Sequence, residues 1–186
     1  MRKDFGPKPF IYPLPVLIVA TYDENKHPNA MTAAWGMVCD IDKLSLCLSQ
    51  GHKTVKNILK NKTFTVSPAD YKNMAPADYV GVVSGNKVKD KIKNAGWTVS
   101  DSENVYAPVI NELPLTLECK LISYDTESEI LTAEIINVSA DESILDKKGN
   151  LDLTKFKPLA YDTCNSAYYT LSQKVGNAFN VGNTLK

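Results

Sequence analysis

The segment from Asn29 to Trp35, which follows the apolar segment PVLIVATY, is rich in small and polar residues. A strand at this place in the chain would ordinarily carry large apolar side chains that fill a core. The run reads NAMTAAW, whereas strands built for packing favour β-branched and aromatic side chains. Small side chains at a strand end expose the backbone N–H and C=O groups, which suit a planar ligand carrying donors and acceptors. Thr32 adds a hydroxyl, and Trp35 could pack beside the plane. A crowded strand crossing would also need small side chains, and the stretch alone leaves both interpretations open.

The segment SQGHKT, Ser49 to Thr54, has the composition of an anion site. It follows a strand pattern and opens a helix pattern, so free backbone N–H groups, Lys53 and hydroxyls are expected to meet there. The alternative is ordinary helix capping by Ser49 or Thr54, with the lysines solvated. The spacing is not that of a G-x-x-x-x-G-K-[ST] phosphate loop, and no G-x-G-x-x-G supports a Rossmann dinucleotide site.

The cysteines and histidines do not form a metal-binding pattern. Cys39, Cys47, Cys119 and Cys164 contain no C-x-x-C pair, and the first three lie in apolar strand patterns, which predicts reduced, buried thiols. With only two histidines, far apart at positions 27 and 52, no metal site is expected. No catalytic residue is predicted either, because the chain has no Ser-His-Asp set and no carboxylate pair isolated in an apolar run.

Short antiparallel strands are the elements expected to position both segments. LPVLIVATY, AMTAAWGMVC and KLSLCLS predict a meander, since the leucines of the last alternate with smaller residues. HKTVKNILKNK then has apolar residues at helical spacing with lysines on the other face, which predicts a helix. TFTVSPAD returns to a strand pattern that ends at Pro68.

The second half predicts a helical excursion and a long hairpin. Between about 70 and 114, PADYVGVVSG and KVKDKIKNAG predict two short helices, followed by a loop-like VYAPVINELP. LTLECKLISY, the turn DTESE and ILTAEIINVS predict a hairpin over 115–139. AYYTLSQKVGNAF fits a strand and tail or a short helix. The whole pattern predicts a small antiparallel barrel with peripheral helices, and no parallel sheet.

Composition places the chain among ordinary globular proteins. Its 186 residues suggest one domain, 44% of them are hydrophobic, and 21 acidic residues balance 21 basic ones. No net charge favours nucleic acid or an anionic membrane surface. The longest apolar run, Val16 to Ala20, is too short to span a membrane, and the proline-rich N-terminus does not read as a signal peptide. We therefore expect a cytoplasmic protein.

Taken together, these motifs resemble the flavin reductase-like family, which uses an FMN-binding split β-barrel, and within it the flavoredoxin-like branch. The resemblance covers nearly the whole chain and rests on the order and spacing of NAMTAAWG, SQGHKT, FTVSPA, GVVSGNKVKDKIKNAG, LTLECKL and KPLAYD…AYYTLSQKVGNAF. It implies a mainly β fold, an antiparallel split β-barrel with a few peripheral helices. It also implies a single flavin reductase-like FMN-binding domain over 1–186, with the helical excursion at about 70–114.

The resemblance also implies a set of cofactor-binding residues. In the family, the small strand segment meets the isoalloxazine ring and the polar turn meets the ribityl chain and phosphate. The ring contacts carry over to Asn29, Met31, Thr32, Ala33, Ala34 and Trp35. The ribityl and phosphate contacts carry over to Ser49, Gln50, His52, Lys53 and Thr54. SGNKVKDK matches the family's S-G-x-x-x-D-K pattern with one extra residue, which assigns Lys91, and the late tyrosine pair assigns Tyr169, with Tyr168 as the alternative.

The implied function is an FMN-binding oxidoreductase that passes electrons between NAD(P)H, or a redox partner, and bound FMN. A homodimer with FMN near the interface is implied as well, with the segment 70–114 embracing the partner. The alternatives are a flavoredoxin-type electron-transfer protein and an FMN-binding protein without NAD(P)H turnover of its own. Because the cofactor carries the redox chemistry, the lack of an evident catalytic residue is compatible with all three.

Overall fold

The structure of the protein is a computed structural model that describes residues 1–171 and 173–185. Within these ranges the strands are β1 (Leu14–Pro15), β2 (Leu17–Tyr22), β3 (Pro28–Ala33), β4 (Gly36–Asp40), β5 (Lys43–Cys47), β6 (Thr63–Pro68), β7 (Val99–Asp101), β8 (Pro108–Ile110), β9 (Leu115–Tyr124), β10 (Ile130–Ala140), β11 (Leu159–Asp162) and β12 (Ala167–Thr170). The α-helices are α1 (Lys53–Asn61), α2 (Met74–Val82), α3 (Lys91–Asn94) and α4 (Leu153–Phe156). Single 3-10 turns occur at Tyr71–Asn73, Glu142–Ile144 and Val181–Leu185.

Seven antiparallel strands form the main sheet, in the order β3-β2-β6-β9-β10-β5-β4. Its edge strands, β3 and β4, are consecutive in the chain and are joined only by Ala34 and Trp35, so the sheet curls into a barrel that stays open between them. The amide of Cys47 donates to the carbonyl of Trp35 over 2.8 Å, which ties this connection to β5. The predicted mainly β fold, an antiparallel split β-barrel with a few peripheral helices, is confirmed.

Alternating apolar residues fill the inside of the barrel, and α1 packs against them. Phe64, Leu131 and Cys119 are completely buried there, together with leucines from β2 and β5. On α1, Val55 and Ile58 are also completely buried, while the lysines of the helix lie on its outer side. The predicted helix is confirmed, and its apolar stripe fixes the position of its N-terminus beside β3.

The segment between β6 and β9 covers the outer face of β2 and β3. Residues of α2 and α3 and the side chain of Trp97 build a second apolar cluster there with Ile18 and Ala30. The prediction of a helix in KVKDKIKNAG is partly wrong, because the α-helix is confined to Lys91–Asn94. The preceding residues turn back instead, with the amides of Lys87 and Val88 donating to the carbonyl of residue 84. The stretch predicted as loop contains β8, which pairs with β7.

A small sheet in the order β1-β11-β12 closes the molecule near α2. The segment AYYTLSQKVGNAF therefore begins with the strand β12, as the strand-and-tail alternative predicted. Residue 172 of that segment lies outside the described residues. The expectation of buried thiols is right for Cys119, only partly right for Cys47, which is half-buried, and wrong for Cys39 and Cys164, which are exposed. Cys39 is exposed together with most of the edge strand β4. Within the described ranges, no helix has the length and apolarity needed to cross a bilayer.

Strands β9 and β10 form the predicted long hairpin, which carries a buried carboxylate. Glu118 is only 4% exposed and accepts hydrogen bonds from Ser102, from Asn104 at 2.7 Å and from Asn137 at 2.6 Å. Burial alone would raise the pKa of Glu118, but these three donors hold it below its ordinary value. The cluster fastens the loop after β7 to the main sheet.

Replacing Glu118 by glutamine is expected to lower the free energy of unfolding by about 2 kcal/mol at neutral pH, because the new amide opposes groups that already donate. A carboxylate whose pKa is depressed by folding stabilises the protein above its unfolded pKa, and this contribution is lost as the pH falls through the folded pKa. Urea unfolding between pH 3 and 7 measures both effects. The exposed Glu134→Gln on β10 is the control, and equal unfolding midpoints for the two variants would contradict the prediction.

Candidate functional site

Strand β3 has one free backbone edge, since β2 is the one strand that pairs with it in the part of the chain that the structure describes. The hairpin joining them begins with the amide of Asp23 donating to the carbonyl of His27 over 2.9 Å. In an antiparallel pair, alternate residues direct their N–H and C=O groups to the partner, so those of Asn29 and Met31 face β2. The same alternation points the backbone groups of Ala30 and Thr32 away from β2, toward the open edge. A ligand lying along β3 would meet these groups.

Two cavities, each of about 290 Å³, flank this edge. They meet where Thr32 touches α2: its hydroxyl donates to the carbonyl of Ala77, and an added Cβ at Gly81 would lie 3.1 Å from its Cβ. We call the first the basic cavity; its lining includes Asn29, Met31, Thr32, His52, Lys53, Thr54, Gly81, Val82, Ser84, Gly85 and Lys91. We call the second the aromatic cavity; it is lined by Val16, Thr32, Ala33, Ala34, Asp78, Gly81, Val82, Tyr161, Ser166 and Tyr168.

Buried polar side chains join β3 to the first turn of α1 in the basic cavity. Asn29 is 4% exposed and donates to the hydroxyl of Thr54 over 2.7 Å, and Thr54 itself is 1% exposed. The same pattern repeats deeper, where Asn57 donates to Thr21 over 3.0 Å. These contacts hold the N-terminus of α1 at a fixed position beside the edge of β3.

The N-terminus of α1 is open toward the basic cavity. His52 is the N-cap residue but makes no capping side-chain hydrogen bond, and the first turn contains no acidic residue. The interpretation in which Ser49 or Thr54 simply caps the helix is therefore wrong. Free N–H groups at a helix N-terminus favour an anion. Lys53 adds a cation whose ammonium lies 3.0 Å from a carboxylate oxygen of Asp23.

Lys91 is a buried cation in the wall of the basic cavity. It is 3% exposed, and its ammonium donates to the carbonyl of Val83 over 2.6 Å. Among the described residues, no carboxylate lies within ion-pair distance of it. Burial lowers the pKa of Lys91 to about 8. A charge held out of water with one neutral acceptor is strongly attracted to an anion entering the cavity.

The structure brings most of the residues assigned from sequence to these two cavities. The basic cavity collects Asn29, Met31, Thr32, His52, Lys53, Thr54 and Lys91, and the aromatic cavity collects Thr32, Ala33 and Ala34. The remaining four lie elsewhere: Trp35 is 56% exposed on the connection to β4, Tyr169 is 59% exposed, and Ser49 and Gln50 both donate to the carboxylate of Glu129. The alternative tyrosine, Tyr168, is the one that lines a cavity.

Sequence reasoning missed the residues that α2 and β11 contribute. Asp78, Gly81 and Tyr161 carry no local signal, because their place in a cavity depends on how α2 and β11 pack beside β3. In the structure Ala77 and Val80 are the buried residues of α2, but the sequence of this helix has no amphipathic pattern that would have identified its buried face or Gly81.

The open antiparallel barrel with a groove along its edge strand defines the chain as a split-barrel protein. The chain belongs to the flavin reductase-like family, since the model of the Flavin reductase like domain matches residues 10–172. The flavoredoxin of Desulfovibrio vulgaris (Miyazaki F) is 32% identical with a TM-score of 0.93, over 98% of this chain and all of that one. The flavoredoxin of Methanosarcina acetivorans is 26% identical with a TM-score of 0.90, over the whole of both chains. The FMN-binding domain of a flavin reductase-like enzyme from Shewanella baltica, 21% identical with a TM-score of 0.80 over 88% of each chain, shares the fold.

Proposed function

We propose that the chain binds FMN along the open edge of β3 and acts as a flavin reductase-like oxidoreductase. The phosphate belongs in the basic cavity, between the N-terminus of α1 and Lys91, and the isoalloxazine ring belongs against the backbone of Thr32 and Ala34. The observation that carries this proposal is Lys91, a buried ammonium that has no carboxylate partner among the described residues and lines the same cavity as the N-terminus of α1.

The residues present fit the chemical parts of FMN. A phosphate dianion needs cations and N–H donors, which Lys91, Lys53 and the first turn of α1 supply. A flat ring with donors and acceptors needs a free backbone edge beside small side chains, which β3 and Ala34 supply. The flavin would supply the electron-transfer chemistry, and the protein would bind it, orient it and keep its phosphate end away from water.

Three versions of this function differ in the partner that exchanges electrons with the flavin. In the first, NAD(P)H reduces the bound flavin; in the second, a redox protein exchanges electrons with it, as a flavoredoxin-type carrier would. The similarity at 32% identity to a protein called a flavoredoxin supports keeping the second version, and an FMN-binding protein without NAD(P)H turnover remains the third.

Two measurements test the proposed function. Purified protein titrated with FMN is expected to quench flavin fluorescence to a stoichiometric end point and to bind FMN more tightly than riboflavin. Steady-state oxidation of NADH and NADPH in the presence of FMN then separates a reductase from a carrier. A protein that leaves FMN fluorescence unchanged at micromolar concentration would refute the proposal.

Gly85→Ala is expected to weaken FMN binding roughly tenfold. An ideal Cβ at Gly85 would lie 2.1 Å from Oδ1 of Asn29, so this buried side chain must move away from Thr54 and disturb the junction of β3 with α1. Fluorescence titration with FMN measures the change. Gly51→Ala is the matched control, because a Cβ at Gly51 meets no atom within 4 Å. Equal affinities for the two variants would contradict the prediction.

We further propose that two copies of this single domain, residues 1–186 with its excursion at 70–114, form a homodimer. Apolar side chains on and beside β4 are unusually exposed: Met37 is 70%, Val38 62% and Ile41 99% exposed, and the strand has a free edge. Large exposed apolar groups on an edge strand favour association. These exposed side chains support a partner contact at β4 rather than mainly at 70–114. Sedimentation at micromolar concentration should give twice the chain mass, and Met37→Lys should shift it toward one chain mass.

A further inference from the structure

The groove along β3 has opposite charge character at its two ends. The basic cavity is lined by His52, Lys53 and Lys91, and no carboxylate is among its described lining residues. The aromatic cavity has the reverse character: Asp78 is the single carboxylate of its described lining, which contains no lysine, arginine or histidine. A ligand that spans the groove, and any molecule that approaches it, therefore meets a different field at each end.

Asp78 is held in the wall of the aromatic cavity by a tyrosine. The hydroxyl of Tyr168 donates to Oδ1 of Asp78 over 2.8 Å. Burial, together with this hydrogen bond, raises the pKa of Tyr168 to about 12, so the tyrosine keeps its proton and the carboxylate remains the acceptor. The second oxygen of Asp78 has no protein hydrogen-bond donor among the described residues.

Two aromatic rings shape the rest of this wall. The rings of Tyr161 and Tyr168 have centroids 5.9 Å apart and are tilted by 49°, and Val16 and Val82 add apolar surface. Such walls suit a flat organic ring, and the neighbouring carboxylate makes an anionic substituent on that ring unfavourable. Ala33 and Ala34 lie on the other side of the cavity, where the proposed function places the flavin ring.

We propose that the aromatic cavity receives the reacting ring of the small-molecule electron-exchange partner, and that Asp78 makes it select uncharged or cationic rings over anionic ones. This inference rests on the proposed function and names the substrate class of the same site. Asp78 is a specificity-determining residue here and takes no part in the electron transfer. The oxidised pyridinium ring of a nicotinamide is a cation and belongs to the favoured class, whereas a ring bearing a carboxylate or sulfonate does not.

The test uses two probes that share one ring and differ in charge: 1-methylnicotinamide, a cation, and nicotinate, an anion. FMN-loaded protein is titrated with each, and the perturbation of the flavin absorbance gives the dissociation constants without turnover. We expect the cation to bind about two- to fivefold more tightly, the effect of one exposed charge. In Asp78→Asn, which can still accept the hydrogen bond from Tyr168, the ratio should fall to about one. Glu134→Gln, an equal change of net charge on β10, should leave the ratio as in the wild type.

The outcomes separate this inference from the proposed function. FMN binding with equal affinity for the two probes, or with a ratio that Asp78→Asn does not change, would overturn the inference alone. A ratio that falls equally in Glu134→Gln would also overturn it, because net charge and not Asp78 would then set the preference. Failure to bind FMN at all would refute the proposed function and this inference with it.

Discussion

Replacing Lys91 by methionine is expected to weaken FMN binding by about a hundredfold, while riboflavin binding changes by no more than a few-fold. Methionine fills nearly the same space, so the loss reports the charge. In the FMN-free protein, this ammonium is 3% exposed and has one carbonyl as its acceptor, so the entering phosphate gains an interaction that water does not already satisfy. Riboflavin lacks the phosphate and therefore serves as the internal reference. Fluorescence titrations of both ligands give the two ratios.

Two further lysines provide the controls. Lys93 is exposed on the same short helix, so Lys93→Met should bind FMN as the wild type does. Lys53 lines the basic cavity, but its ammonium is already paired with Asp23 at 3.0 Å, so Lys53→Ala should cost less than Lys91→Met. The sequence had assigned the charge-assisted phosphate contact to Lys53. A larger loss in Lys53→Ala than in Lys91→Met would restore that assignment and contradict ours.

The pH dependence of the wild type gives an independent check on Lys91. The pKa of Lys91 is about 8 in the FMN-free protein, and a bound phosphate favours the protonated ammonium, so FMN affinity should fall as the pH rises above 8. The stability of the FMN-free protein should move the opposite way. Between pH 8 and the ordinary lysine pKa of 10.5, Lys91 is protonated more fully in the unfolded chain than in the folded protein. The contribution of Lys91 to the free energy of unfolding therefore rises with pH in this range. Lys91→Met should remove both trends.

Local patterns in the sequence were sufficient to predict the elements but not their neighbours. Strand alternation and helical spacing each involve residues a few positions apart, and they correctly indicated β9, β10 and α1. The partner of Ser49 and Gln50 is Glu129, about 80 positions away, and no periodicity connects such residues. The same reason explains why Tyr169 was assigned in place of Tyr168: the register of β12 against β11, not its composition, decides which tyrosine faces α2.

The small residues at the end of β3 have two explanations, crowding in the barrel interior and access for a ligand, and each explanation applies to a different alanine. Ala33 is 8% exposed and belongs to the interior cluster of the barrel with Leu17 and Leu44, so crowding explains its size. Ala34 follows the strand, is half-buried and lines the aromatic cavity, so ligand access explains its size. The family resemblance assigns both alanines to the flavin ring, and we propose that Ala34, rather than Ala33, is the position at which a larger side chain would exclude it.

Ala34→Leu is therefore expected to abolish binding of both FMN and riboflavin at micromolar concentration, because the added side chain fills the space proposed for the ring that both ligands share. Its unfolding midpoint should stay close to that of the wild type, since the new side chain enters a cavity. Ala33→Leu should behave in the opposite way: overpacking of the barrel interior should cost about 1–3 kcal/mol of stability. The fraction that stays folded should still bind flavin.

Urea unfolding and fluorescence titration of the two variants, done side by side, decide between these roles. Ala34→Ser adds little bulk and should bind FMN within a few-fold of the wild type. That result would show that the size of the new side chain, and not any substitution at this position, prevents binding. If Ala34→Leu binds both flavins normally, the ring does not lie against this end of β3, and the basic cavity must then hold an anion other than FMN. If Ala33→Leu is stable and Ala34→Leu unfolds, the assignment of interior and cavity is reversed. If Ala34→Leu loses FMN binding but retains riboflavin binding, residue 34 lies near the phosphate. That outcome would contradict the proposed orientation, in which the phosphate lies beside Lys91 and the ring lies against Ala34.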